Sequence, residues 1–193
     1  MWKQTIGALR LLMVLTIITG LIYPLAMTGV AQAVFPFQAN GSLAYVDNKP
    51  VGSLLLGQNF SDGKYFHGRP SAAGTDGYDA TSSSGSNLGP TNKKLTDRVK
   101  EDLDKVRIEN QVGEDKVVPS DLVLASASGL DPHISPEGAY LQAGRIAQER
   151  DLSELTVREL VTSQVETKTL GLLGEPRVNV LALNMALDQL SSK

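Results

Sequence analysis

Apolar and polar positions divide this chain unevenly. Residues 11–34 are apolar almost throughout, interrupted only by Thr, Gly, Tyr, Pro and Gln, and no charged side chain follows Arg10 until Asp47. A bilayer core takes about 20 helical residues to cross, so the run predicts one transmembrane helix over 11–34. Lys3 and Arg10 precede it and the next cation is Lys49. Because loop cations favour the cytoplasmic side, residues 1–10 are expected inside and 35–193 outside. A cleaved secretory signal is the competing reading, since Ala31-Gln32-Ala33 fits the small-x-small cleavage pattern. A signal's apolar region runs only about 7–15 residues, however, and this run is longer, so retention as an anchor is expected. Pro24 within the span predicts a kink, and Gly20, Ala26 and Gly29 are small enough to admit a neighbouring helix.

Beyond the anchor the pattern changes period. Residues 42–46 and 51–56 are two short β-prone runs around the turn chemistry of Asp47-Asn48-Lys49-Pro50, which predicts a hairpin. Residues 58–90 show neither a period of 2 nor one of 3.6. Loops beyond about 12–15 residues in compact domains are functional or disordered, and Tyr65, Phe66, Tyr78 and Leu88 favour an ordered, interactive loop. Leu95, Val99, Leu103 and Val106 then form one stripe of a helix over 91–109. Residues 119–123 read equally as strand or turn. Ser135-Pro136-Glu137 has cap, first-turn proline and acid in order, predicting a helix to about residue 150. Thr156 to Glu159 has capping-box spacing for a helix over 157–167, and a last helix is expected over 179–190. The fold class is therefore one N-terminal transmembrane helix followed by a single exported α/β (α+β) domain, helix-dominated with a small sheet.

Composition narrows the function. The 193 residues less the anchor leave material for one domain with one core. A formal charge of -3 with both signs interspersed offers no basic face, which excludes nucleic acid as a partner. The chain has no cysteine, so disulfides, thiolate metal sites and thiol nucleophiles are excluded. Familiar catalytic motifs are also missing. Five residues separate Gly57 from Gly63, and Tyr65 stands where a phosphate loop needs Ser or Thr. Gly85-Ser86-Asn87-Leu88-Gly89 puts Asn where a hydrolase elbow needs its nucleophile. No catalytic residue and no metal site are expected, His67 being read as a hydrogen-bonded structural histidine.

Three loop segments remain as candidate contact surface. Tyr65-Phe66-His67-Gly68-Arg69-Pro70 gathers aromatic, imidazole and guanidinium groups around a glycine, and Arg69 is expected to present its fork to carboxylates or carbonyls of a partner. Ser84-Gly85-Ser86-Asn87, in a serine-rich stretch, either cradles an anion or satisfies its own donors in turns. Ser128, Asp131, Pro132 and His133 precede the Ser135 helix start, where pinning a loop and facing a partner are equally open.

These segments, with Gly52-Ser53, Gly57-Gln58-Asn59-Phe60, the continuation Leu88-Gly89-Pro90-Thr91-Asn92 and Gly174-Glu175-Pro176-Arg177-Val178-Asn179-Val180-Leu181, resemble the KdpC family along the whole chain and in order. That family is the C subunit of the ATP-driven, high-affinity potassium uptake complex of bacteria and archaea. The resemblance implies an accessory subunit needed for assembly and activity, set in the cell membrane. It also implies three partners: a channel-like subunit carrying potassium, a P-type ATPase subunit carrying ATP and Mg, and a very small membrane subunit. Arg177 joins the candidate contact residues on this ground. The family carries a second idea, a catalytic chaperone that raises the ATPase subunit's affinity for ATP in a transient ternary complex. The expected topology leaves only about ten residues on the cytoplasmic side for such contact.

Overall fold

In a computed structural model, residues 1–191 are described, and the chain divides into two compact units, Met1–Ser53 and Leu54–Lys193. The first is dominated by one apolar helix, Trp2–Val34, of 33 residues. At 1.5 Å per residue this is about 50 Å, enough for a membrane core of about 30 Å with a helical extension. It begins at Trp2 rather than at residue 11, so the N-terminal ten residues are not a separate tail. Polarity ends the apolar run at Arg10, but Lys3, Gln4 and Arg10 are good helix formers and the backbone ladder continues through them.

The long helix has an internal defect. α1 (Trp2–Ile17) passes into a π-helical turn, Ile18–Ile22, before α2 (Tyr23–Val34). Pro24 lacks an N–H and its ring crowds the carbonyl of Gly20, and the widened turn immediately ahead absorbs both. Thr19 and Thr28 turn their hydroxyls back onto Leu15 O at 2.7 Å and Pro24 O at 2.8 Å. A short α3 (Pro36–Ala39) follows.

β1 (Leu43–Val46) and β2 (Lys49–Ser53) form the expected hairpin with a shifted second strand. Only Asp47 and Asn48 make the turn, both left-handed with φ 48 and 60, as a two-residue type I′ connection requires. Lys49 and Pro50 therefore belong to the strand, where an edge position tolerates proline. Tyr45 pairs with Pro50 and Ala44 with Gly52, leaving Val51 as a bulge.

The second unit has its core between helices and a small sheet. α5 (Pro136–Glu149) supplies Ala139, Ala143 and Ile146, and α6 (Glu154–Ser163) supplies Val157 and Val161. α7 (Val180–Ser191) adds Leu183 and Leu187. Three antiparallel strands in the order β3-β5-β4 close the other side, with β3 (His133–Ile134), β4 (Val165–Glu166) and central β5 (Arg177–Asn179). Ser135 caps α5 as expected, its Oγ accepting the Gly138 N–H at 3.0 Å. α6 starts three residues before its expected origin, because Ser153 caps it by accepting from Thr156 N–H at 3.0 Å and leaves Thr156 inside the helix. It ends at Ser163, since residues 165–166 pair with β5. Asn179 accepts from Ala182 N–H at 3.0 Å and so starts α7.

α4 (Lys93–Glu109) is capped by Asn92. Its stripe of Leu95, Val99, Leu103 and Val106 is only half-buried. Residues 120–122 form a 3-10 turn, Ser120–Leu122, which resolves the strand-or-turn ambiguity. The helix-dominated expectation holds, with 48% of residues helical and 9% in strands.

Candidate functional site

Residues 54–92 contain no helix or strand, yet side chains of the helices hold them in place. Asn184 on α7 accepts the Phe66 N–H at 2.8 Å and donates to the Phe66 carbonyl at 3.0 Å. Gln142 on α5 treats the next residue the same way, accepting from His67 N–H at 2.8 Å and donating to His67 O at 3.1 Å. Two primary amides thus replace the strand partner that this backbone lacks. Phe66 can then enter the core, where it is 0% exposed. Arg145 donates to the carbonyls of Gly63 and Tyr65, to Asn110 Oδ1 at 3.0 Å and to Gln142 Oε1 at 2.9 Å. On the other side Arg150 lies over the Tyr65 ring at 4.8 Å and pairs with Asp188 at 2.7 Å.

With residues 63–67 fixed, Arg69 points at the 124–133 segment. Its Nη1 donates to Asp131 Oδ2 at 3.1 Å, while Nε and Nη2 share the Leu124 carbonyl at 3.4 Å. Asp131 Oδ1 accepts the His133 N–H at 3.0 Å and lies 3.4 Å from His133 Nδ1. The other ring nitrogen is 4.0 Å from Glu166 Oε2, to which Arg177 Nε and Nη2 both come within 3.0 Å. Arg69, Asp131, His133 and Arg177 therefore line one surface cleft, with Glu166 linking His133 to Arg177, and the walls of the cleft include Asp121, Ser135, Glu175 and Pro176. Burial works to raise the Asp131 pKa, but the His133 hydrogen bonds and the Arg69 charge outweigh it and hold the carboxyl below its ordinary range. Asp121 fastens the far wall by accepting from the Ser135 N–H at 2.5 Å and from the Ser135 hydroxyl at 3.1 Å.

The chain matches the family described as K+-transporting ATPase, c chain, over residues 5–189. It belongs to the KdpC family. A potassium-transporting ATPase KdpC subunit from Bradyrhizobium diazoefficiens is 54% identical over 204 residues, covering 100% of both chains. One from Rhodopseudomonas palustris is 55% identical over the same span and coverage. One from Polaromonas naphthalenivorans is 57% identical over 183 residues, covering 95% of this chain and 93% of its own. As a KdpC chain the protein is a subunit of the potassium-transporting ATPase, a membrane complex, and its apolar helix Trp2–Val34 accords with single-pass insertion.

Three of the segments that carry the KdpC resemblance meet in the cleft, but not every candidate residue faces it. Arg69 is turned inward, against the expectation of a free fork, because Asp131 and the Leu124 carbonyl lie within its reach. Phe66 presents no ring to a partner. His67 faces α4, with Nδ1 3.5 Å from Glu109 Oε2 and Nε2 3.2 Å from the Asp62 carbonyl. Burial and the Arg145 charge lower its pKa. The serine-rich stretch runs backbone against backbone with residues 126–130. A side chain on Gly85 would meet Ala127 O at 2.9 Å, and one on Gly129, at φ +67, would meet Ser84 O at 2.5 Å. Ser83 Oγ donates to Ser128 O at 2.9 Å and Ser84 Oγ to Gly85 O at 3.0 Å. Of the two readings of this stretch, mutual satisfaction describes these hydroxyls. Sequence reasoning missed Gln142, Arg145 and Asn184. The signal was there, since Gln142 lies among Ala139, Ala143 and Ile146, and Asn184 lies between Leu183 and Leu187, each a polar residue on an apolar stripe.

Proposed function

We propose that this KdpC chain is a non-catalytic accessory subunit, needed for assembly and activity, whose extracytoplasmic domain docks on the channel-like subunit at the outer mouth of the potassium path. The reading is carried by one observation: segments 65–72, 125–136 and 174–181, remote in sequence, build a single outward-facing charged cleft. Their polar groups are engaged in holding its shape, which suits a docking surface better than a reaction centre. Potassium then stays with the channel-like subunit and ATP with Mg on the ATPase subunit, while the very small subunit and the lipid surround the anchor. The internal bonding of the serine hydroxyls favours docking over direct nucleotide contact. An effect on ATP affinity would have to pass through the membrane spans as a differential interaction with two states of the ATPase.

Two substitutions in the assembled complex test the reading. The Arg177–Glu166 pair is exposed, at 40% and 46%, so Arg177→Ala should leave the melting of the chain unchanged. If Arg177 meets the partner, the same change weakens association by about 1–3 kcal/mol, read by co-purification against salt. Arg69→Lys keeps charge but loses the fork, so it should lower the chain's own stability by about 1–3 kcal/mol. Full retention of Arg177→Ala in the complex, together with a crosslinking map that leaves the cleft unmodified by any partner, defeats the docking proposal.

A further inference from the structure

Between β4 and β5 the chain makes a tip that contributes nothing to the core. Leu170, Leu172 and Leu173 are 88%, 84% and 63% exposed. Scattered surface leucines need no explanation, but three within four positions form an apolar cluster. The tip is closed by hydrogen bonds. Thr169 N–H donates to Leu173 O at 2.8 Å, Leu173 N–H returns to Thr169 O at 3.0 Å, and Gly171 N–H reaches Lys168 O at 2.9 Å. A Lys168–Glu175 ion pair at 3.0 Å closes its base. Inside this turn Leu170 has φ 55, beside Gly171 at φ 73. A left-handed backbone disfavours a branched side chain, and Asn or Gly would make an ordinary solvent turn at lower cost. The conformation instead holds a leucine outward.

We propose that the 169–173 tip is a pre-formed apolar plug that seats in an uncharged hydrophobic socket on another subunit of the potassium-transporting ATPase complex. The proposal rests on the docking reading above. Charge argues for a protein socket over a lipid surface. The cations flanking the tip are matched by carboxylates, Lys168 by Glu175 and Arg177 by Glu166, so no positive surplus faces anionic headgroups. Area argues against a second copy of this chain. Three leucines bury roughly a few hundred Å², well short of the ~1,200 Å² of a stable pair, so the plug suits an assembly already held by other contacts. Continuity gives the location, because the tip runs straight into Glu175, Pro176 and Arg177 of the cleft, and a partner covering the cleft lies within reach of the tip.

The absence of native cysteine gives a direct probe. Full-length chain carrying Leu172→Cys, labelled with bimane, is placed in phosphatidylcholine vesicles alone and then assembled with its partner subunits. A blue shift and protection from iodide should appear only on assembly. The same label at Val117→Cys, which is 90% exposed and remote in sequence, should respond in neither state. A blue shift already present in lipid alone would put the tip in the membrane and overturn the proposal, as would a label still open to iodide in the complex. Independently, Leu170→Ser with Leu172→Ser should be lost from the complex about tenfold more readily, with melting unchanged because both side chains are exposed. Equal retention of the double variant and the native chain removes the plug while leaving the docking reading intact. Failure of the native chain itself to co-purify defeats both.

Discussion

Gln142 and Asn184 explain how a stretch with no periodicity becomes a fixed surface. Each side chain closes two hydrogen bonds to one loop residue, and the bonds of Asn184 are buried. Asn184→Ala removes both at once and leaves the Phe66 N–H and carbonyl without partners away from water, at about 1–3 kcal/mol for each orphan. The expected loss is therefore about 2–6 kcal/mol, measured by urea unfolding of the detergent-solubilised chain; a loss no larger than that of an exposed Asn59→Ala control would refute the role. His67 supplies a pH signature. Its pKa is lowered in the fold by burial and by Arg145, so between its unfolded value of about 6.5 and its folded value only the unfolded chain binds the proton. The folded state then loses stability as pH falls through that window, and the effect is absent above it. His67→Gln should flatten the fall in melting temperature below about pH 6.5, whereas an unchanged profile assigns the slope to another group. These roles were legible only in part. A polar residue on an apolar stripe announces a buried hydrogen bond, but its partner, 118 residues away for Asn184 and Phe66, is set by tertiary packing.

Elements were read best where a cap and a period agreed. Ser135-Pro136-Glu137 started α5 as expected, whereas the Thr156 capping pattern was displaced because Ser153 competed for the same first turn. The two-residue strands β3 and β4 carry no alternation long enough to detect, and their pairing with β5 comes from long-range packing. In the anchor, Pro24 was legible as a defect, and the structure gives its form as a π turn. That form bears on partner packing. An added Cβ at Gly29 meets nothing within 4 Å, and at Gly20 only the Thr16 methyl at 3.9 Å. The helix itself leaves room for a side chain to start at both positions, so a loss of assembly by Gly20→Leu or Gly29→Leu with helix content unchanged reports an approaching partner helix. Thr16 shares the face of Gly20, so Val14→Leu is the better control. Both glycine variants should reduce recovery of the complex more than the control does; equal recovery would leave the small residues without a packing role.

At the scale of the whole molecule, composition and the single apolar run were enough to place one anchor before one helix-rich domain, because those features depend on long stretches rather than on individual contacts. The convergence of three distant segments on one cleft was not readable from spacing, since no local signal ties Arg69 to Asp131 or His133 to Glu166. Orientation is the property on which the docking proposal most depends. The orientation we propose rests on Lys3 and Arg10 ahead of the span and on the lack of any cation between Arg10 and Lys49. Both early cations lie on the extended helix, near the end of the span where the cytoplasmic boundary is expected. A reporter active only outside the cytoplasm, fused after Lys193, should therefore be active. Moving the bias tests the cause: Lys3→Gln with Arg10→Gln, combined with two lysines introduced at Phe37 and Gln38, should invert a fraction of the chains and lower the reporter signal accordingly. An inactive reporter on the native chain would place the cleft and the leucine tip on the ATP side of the membrane. Docking at the outer mouth of the potassium path would then be excluded, and direct contact with the nucleotide-binding subunit would become the reading to test.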